Sequence, residues 1–151
     1  MQLRRRCRGW WIALLAALAD RLTKRLAAGL AGGGPLIPGI LNLRPVENRG
    51  IAFSMLSGQG ALLAILTVAL IAGLLAWLIL RPEAPGLLRA GLWLVAGGGL
   101  GNLYDRLTAG SVSDFLELAF VRFAVFNVAD VCICLGAALA VIGSWRAEVK
   151  R

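Results

Sequence analysis

The sequence predicts an all-α membrane protein: four transmembrane helices, with a small extracytoplasmic β-sheet or loop element between the first and the second. Three observations predict it. The 151 residues are 59% hydrophobic and include 19 glycines, with a mean hydropathy of +0.78, which leaves too little polar surface for a soluble domain of this size. Four apolar runs, at about 10–30, 61–80, 87–107 and 125–145, match the roughly 20 residues that a spanning helix needs. The bases cluster at the ends of these runs rather than along one polar face, so a net charge of +8 reads as topology and not as a nucleic-acid surface.

The first span follows Arg4, Arg5, Arg6 and Arg8. These bases, the apolar stretch Trp10 to Ala19 and the small-x-small Ala17-Leu-Ala19 imitate a cleavable secretory signal. Cleavage would strand three spans whose charged flanks already agree with an uncut cytoplasmic start, so span 1 is expected to stay. No cysteine follows the stretch, which excludes a lipoprotein leader. Asp20 and Lys24 stand four apart with the acid first, the favourable order for a pair on one helix face, and structural pairing is the role expected of that turn.

The connection over about 31–60 has turn signals at Gly32-Gly-Gly-Pro35 and Ile37-Pro-Gly39, then alternates apolar and polar residues over Ile40 to Pro45, so a short strand or small sheet is expected there. Asn48 opens a turn at Gly50, where a side-chain amide could hold an extended peptide by its backbone. Span 2, Ala61 to Leu80, carries no charge, and Arg81 and Arg89 flank the short loop after it. Span 3 ends in Gly97-Gly-Gly-Leu-Gly-Asn-Leu-Tyr-Asp-Arg106. Its glycines permit close helix approach, and without a preceding strand or a Gly-Lys-Ser/Thr ending they are no phosphate loop. Asn102 and Asp105 share a helical face, while Arg106 suits either a snorkelling anchor or a ligand for a substrate carbonyl or lipid headgroup.

The outer connection at about 108–124 contains Asp114, and span 4 contains Asp130 some five residues below its start. Arg146, Lys150 and Arg151 close the chain. The positive-inside rule then sets both termini in the cytoplasm and both longer connections outside, on a single integral membrane domain over 1–151. Cys7, Cys132 and Cys134 call for no disulfide and no metal, the last two reading as small helix-packing residues. The chain has no histidine, which removes Ser-His-Asp, Cys-His and His-zinc chemistry.

Carboxylates inside a membrane are costly, about 2.5–3.5 kcal/mol each at mid-bilayer. Two within reach of one another cannot both ionise easily, so one keeps a proton while the other can draw a proton from a water between them. Asp114 and Asp130 are therefore the candidate pair for an aspartic-protease chemistry, with no metal or cofactor. Two rivals come from other classes. A proton-coupled transporter would spread Asp20, Asp105 and Asp130 across membrane depth, and an assembly subunit would use the glycine face of span 3 to bind partner helices.

Taken in order, Asp20-Arg-Leu-Thr-Lys24, Asn48-Arg-Gly-Ile-Ala-Phe53, Gly101-Asn-Leu-Tyr-Asp-Arg106, Val112-Ser-Asp-Phe115 and Phe126-Asn-Val-Ala-Asp130 closely resemble the five motifs of lipoprotein signal peptidase, the type II signal peptidase of bacteria. The resemblance covers nearly the whole length. It implies an aspartyl endopeptidase of the bacterial cytoplasmic membrane, working at the outer face, that removes the signal peptide from a prolipoprotein just before a diacylglyceryl-modified cysteine. It further implies Asp114 and Asp130 as the catalytic dyad, with Asn48 and Arg106 as positions that hold substrate backbone and that the cyclic peptide antibiotic globomycin also occupies. Asp20, Lys24, Gly50, Asn102, Asp105 and Asn127 are implied as supporting residues. The expected partners are the lipid-modified substrate and membrane lipid, without nucleic acid, and nothing calls for more than a monomer. Two positions depart from the family pattern: Ala124 where a proline is common and Ile51 where alanine is common.

Overall fold

The computed structural model describes residues 8–30, 32–50, 55–56 and 58–149. Arg4, Arg5, Arg6, Cys7, Ile51, Phe53, Lys150 and Arg151 lie outside the described residues. In chain order the elements are α1 (Trp10–Gly29), β1 (Gly34–Ile37), β2 (Leu41–Asn48), α2 (Gly60–Leu80), α3 (Gly86–Ala109), β3 (Val112–Leu118) and α4 (Val128–Val149).

Helix α3 is the hub, packing on α1, α2 and α4, and its glycines set how closely. A Cβ on Gly91 would run into the backbone of Gly136 and Ala140 on α4, and one on Gly97 into the backbone of Ala13 on α1. Small residues thus replace side-chain interdigitation with backbone contact, the packing mode of helices that have lipid rather than water outside. Among the described residues helix α2 joins only α3 to any extent, through Ala64 and Ile71 against Leu103 near one end and Leu78 against Trp93 near the other. Large apolar residues, among them Leu22, Leu66, Leu80, Val141 and Trp145, face outward on the bundle. Among the described residues two helices, α2 and α4, are long and apolar enough to cross a membrane, whereas α1 and α3 carry buried ionic groups within their length.

At one end of the bundle Arg89, only 5% exposed, donates to the carbonyls of Leu78 and Arg81 at 2.9 Å each, while Trp93 Nε1 donates to Arg8 O at 2.9 Å. The last carbonyls of α2 have no partner within their own helix, and the guanidinium satisfies two of them. The sequence had marked Arg89 only as a loop flank.

The sheet corrects an expectation. It has three antiparallel strands in the order β1-β2-β3, and the third comes from the second connection, not from the segment between the first two helices. The β1–β2 hairpin leaves one edge of β2 with open N–H and C=O groups, and β3 closes it. Pro45 sits in the irregular stretch between Leu43 and Val46, where a residue without an N–H is tolerated in a central strand. Gly110, at φ 72, ends α3 with its N–H on Arg106 O and turns the chain directly into β3. Asp114 consequently lies in a strand, not in a loop.

Candidate active site

Strand pairing sets the first half of the site. Val46 lies opposite Asp114 and Asn48 opposite Val112, which makes Asn48 and Asp114 diagonal neighbours on one face of the sheet. Asn48 Nδ2 donates to Asp114 Oδ2 at 2.8 Å, and Asn48 Oδ1 accepts the Gly50 N–H at 2.9 Å, the turn expected at Gly50. On the opposite face Glu47 accepts from the hydroxyls of Ser111 and Ser113, holding β3 in register one residue away from both Asn48 and Asp114. Glu47 had attracted no notice in the sequence, although a carboxylate opposite two serines spaced at the strand period was a signal. Asp114 is 3% exposed. Burial pushes its carboxyl up to about 6, against the pull of the Asn48 amide and with the charge of Asp130 adding to the rise.

The second half is a helix N-terminus. Phe126 bridges to Leu116 of β3, with hydrogen bonds of 2.9 and 2.8 Å, so the chain stays extended until Asn127 and α4 begins at Val128 rather than near 125. Asn127 is the N-cap: its Oδ1 accepts the Asp130 N–H at 3.0 Å, and Asp130 Oδ2 accepts the Asn127 N–H at 3.1 Å. This reciprocal exchange is a capping box with aspartate in the place of the usual glutamate. Asp130 therefore sits in the first turn of α4, shallower than the sequence reading had it. Asn127 is fully buried, and its Nδ2 donates to Asp114 Oδ1 at 2.6 Å and to Asn102 Oδ1 at 3.1 Å. One side chain thus touches the strand aspartate and caps the helix that carries the other.

Helices α1 and α3 underpin both halves. Lys24, 5% exposed, lies 2.8 Å from Asp20 Oδ2, 2.8 Å from Asp105 Oδ2 and 3.1 Å from Asn102 Oδ1. Asn102 Nδ2 passes the connection to Asp130 Oδ1 at 2.8 Å. Asp20 Oδ1 accepts the Ala129 N–H at 2.9 Å, capping α4 a second time. The close approach needs Gly101, whose missing Cβ would stand 2.5 Å from Asp20 Oδ2. Asp105 reaches Arg21 at 2.8 Å and the Ser113 N–H at 3.4 Å, and so ties α3 to both α1 and β3. The pairing of Asp20 with Lys24 was legible as an i, i+4 spacing, while that of Arg21 with Asp105 crosses between helices and was not. Arg106 donates to Gly50 O at 3.1 Å.

Asn48, Asn102, Arg106, Asp114 and Asp130 all line one groove of about 620 Å³. Apart from Thr67 and Cys134, the rest of its wall is apolar, including Leu70, Ile71 and Leu74 from α2, Val131, Ile133 and Leu135 from α4, Val95 and Gly99 from α3, and Phe123 with Ala124 from the segment before α4. Cys134 lines it as well, so that thiol is not the plain helix-packing residue expected. Asp20, Asp105, Asp114 and Asp130 belong to one hydrogen-bonded cluster instead of being spread along the bundle, as a relay across the full membrane depth would have them.

Residues 12–146 match the family model for signal peptidase (SPase) II. The lipoprotein signal peptidase of Thermosynechococcus vestitus is 36% identical over 142 residues, 90% of either chain. That of Gloeobacter violaceus is 38% identical over 93% of this chain and 83% of its own. That of Streptococcus pyogenes is 39% identical over 91% of each. Among solved structures, a bacterial membrane enzyme determined by the in meso method at 2.3 Å resolution superposes with a TM-score of 0.84, at 26% identity over 93% of this chain and 89% of that one. A second, determined at 1.9 Å, has a TM-score of 0.77 at 28% identity over 87% and 88%.

Proposed function

The chain belongs to the signal peptidase II family and is a peptidase, and on that premise we propose that Asp114 and Asp130 are its catalytic dyad, removing signal peptides from prolipoproteins just before a diacylglyceryl-modified cysteine. The observation that carries this reading is the groove: two aspartates, bridged by the one residue Asn127, stand at the polar end of an otherwise apolar channel between helices.

The chemistry follows from the surroundings. The pair holds one proton between its two members, the arrangement that two neighbouring carboxylates favour. The charged member takes a proton from a water, which attacks the scissile carbonyl, and the neutral member donates to the forming oxyanion. The protons then pass to the leaving amine. Asn102 and the Asn127 backbone keep Asp130 aimed, and Asn48 with the Asn127 side chain keep Asp114 aimed. Arg106 and Asn48 line the groove beside the pair and would bind the extended substrate by its carbonyls. The acyl chains of the substrate would occupy the apolar length between α2 and α4, excluding water from the reacting bond. A globomycin-type cyclic peptide would compete for the same polar end.

The placement proposed with it has all four helices crossing the bacterial cytoplasmic membrane, both termini inside, the sheet and the dyad at the outer face, and the enzyme acting as a monomer without a cofactor. The outward apolar belt and the gathering of the ionic groups of α1 and α3 inside the bundle support it. The test is cleavage of a diacylglyceryl-modified prolipoprotein by the purified protein in lipid, with a metal chelator present. Cutting that resists the chelator and is lost in both Asp114→Asn and Asp130→Asn, each still folded, is the expected result. Cleavage by either variant at a rate near wild type would refute the dyad.

A further inference from the structure

A second groove, of about 480 Å³, runs between α1 and α3 and shares no lining residue with the first. Leu14, Leu18 and Leu100 form its deep walls, while Arg21, Arg25 and Tyr104 stand towards its other end. The two arginines differ. Arg21 is engaged, paired with Asp105 at 2.8 Å and stacked over the Tyr104 ring at 4.4 Å. Arg25, one helical turn nearer the end of α1, is exposed and makes no ion pair or hydrogen bond among the described residues.

Length, lining and charge together select the occupant. From Leu14 to Arg25 the groove follows eleven helical steps of α1, about 16 Å at 1.5 Å per step, close to the depth of one leaflet of a hydrocarbon core roughly 30 Å thick. Beside Ala17 and Gly101 it is lined by five leucines, Leu14, Leu18, Leu100, Leu103 and Leu107, an uneven apolar surface that suits a flexible chain better than a close-packed partner helix. The cationic end lies at the level where phosphates lie, beside an aromatic ring of the type that settles at the membrane interface. We propose that this groove binds one anionic phospholipid from the leaflet on the active-site side, its acyl chain along the leucines and its phosphate on Arg25 and the open edge of Arg21. The site rests on the four-helix placement proposed above. Through Arg21 the lipid meets Asp105, and through Asp105 it meets Lys24 and the base of the dyad.

The test uses the whole protein in nanodiscs of equal phosphatidylglycerol and phosphatidylcholine, with the lipids retained after ejection counted by native mass spectrometry. Wild type is expected to keep phosphatidylglycerol in preference, and Arg25→Gln to lose roughly fivefold of that preference, the contribution of one basic residue near a charged headgroup. Arg146→Gln, an exposed base in the last turn of α4, should leave the preference intact. Equal retention of the two lipids by wild type, or an unchanged preference in Arg25→Gln, would overturn the site. Cleavage measured on the same discs keeps the two readings apart: active discs without lipid preference sink the lipid site alone, whereas a preference in discs that do not cleave sinks the peptidase reading alone.

Discussion

Asn127 offers the sharpest perturbation, because its two ends do different jobs. Its Oδ1 caps α4 through the Asp130 N–H, and its Nδ2 holds Asp114 Oδ1 at 2.6 Å. Asn127→Ser keeps a good N-cap acceptor and removes the amide donor, while Asn127→Ala removes both. Leaving a buried carboxyl oxygen without its partner costs about 1–3 kcal/mol, and a lost N-cap costs about 1 kcal/mol. If the amide serves to aim Asp114, the serine variant should lose roughly 10- to 100-fold in the single-turnover cleavage rate, at 1.36 kcal/mol per tenfold. Its thermal unfolding in the same detergent should stay closer to wild type than that of the alanine variant. The assay is single-turnover cleavage of a lipidated prolipoprotein with enzyme in excess, so that product release does not mask the chemical step. A serine variant that cuts as fast as wild type would refute the bridging role, and so would one whose rate falls only in proportion to the fraction unfolded.

Two other outcomes follow from the same geometry. Because burial pushes Asp114 up to about 6, its proton is lost as the pH rises through that value and the pair loses its acid; kcat/KM is expected to fall about tenfold per pH unit above it. The Asn48 amide favours the ionised form, so Asn48→Ala should move this limb to higher pH, and a pH–rate series that shows it fixed or moved lower would contradict the assignment. Gly101→Ala would drive a Cβ against Asp20 Oδ2, displacing the carboxylate that caps α4 at Ala129. A loss of about 1–3 kcal/mol is expected for such overpacking, read as earlier thermal inactivation, and an unchanged midpoint would show that Asp20 has room to move.

Much of this was legible from residue types and spacing. Helix lengths follow from apolar runs, and the pairing of Asp20 with Lys24 from an i, i+4 interval, because both are local properties of a single helix. Asn127-Val-Ala-Asp130 also carried a local signal, the N-cap and N3 positions of a capping box, which would have started α4 at Val128. What local pattern could not give was the cross-chain pairing. β3 joins the sheet because β2 has an open edge, Arg21 meets Asp105 because glycines let α1 and α3 touch, and Arg89 caps α2 from a neighbouring helix. Each depends on which surfaces the bundle brings together, and no interval along the chain records that.

The gap between α2 and α4 has a kinetic consequence. With the site and the membrane placement proposed above, α2 leans on α3 and leaves the groove wall shared with α4 open, so a substrate anchored in the same bilayer would arrive sideways, by diffusion in a plane. Encounter then depends on how many substrate molecules lie in each patch of membrane, not on how many are in the tube. Adding inert lipid at constant protein and substrate should slow turnover by surface dilution, and the quantity that plays the part of KM is a mole fraction.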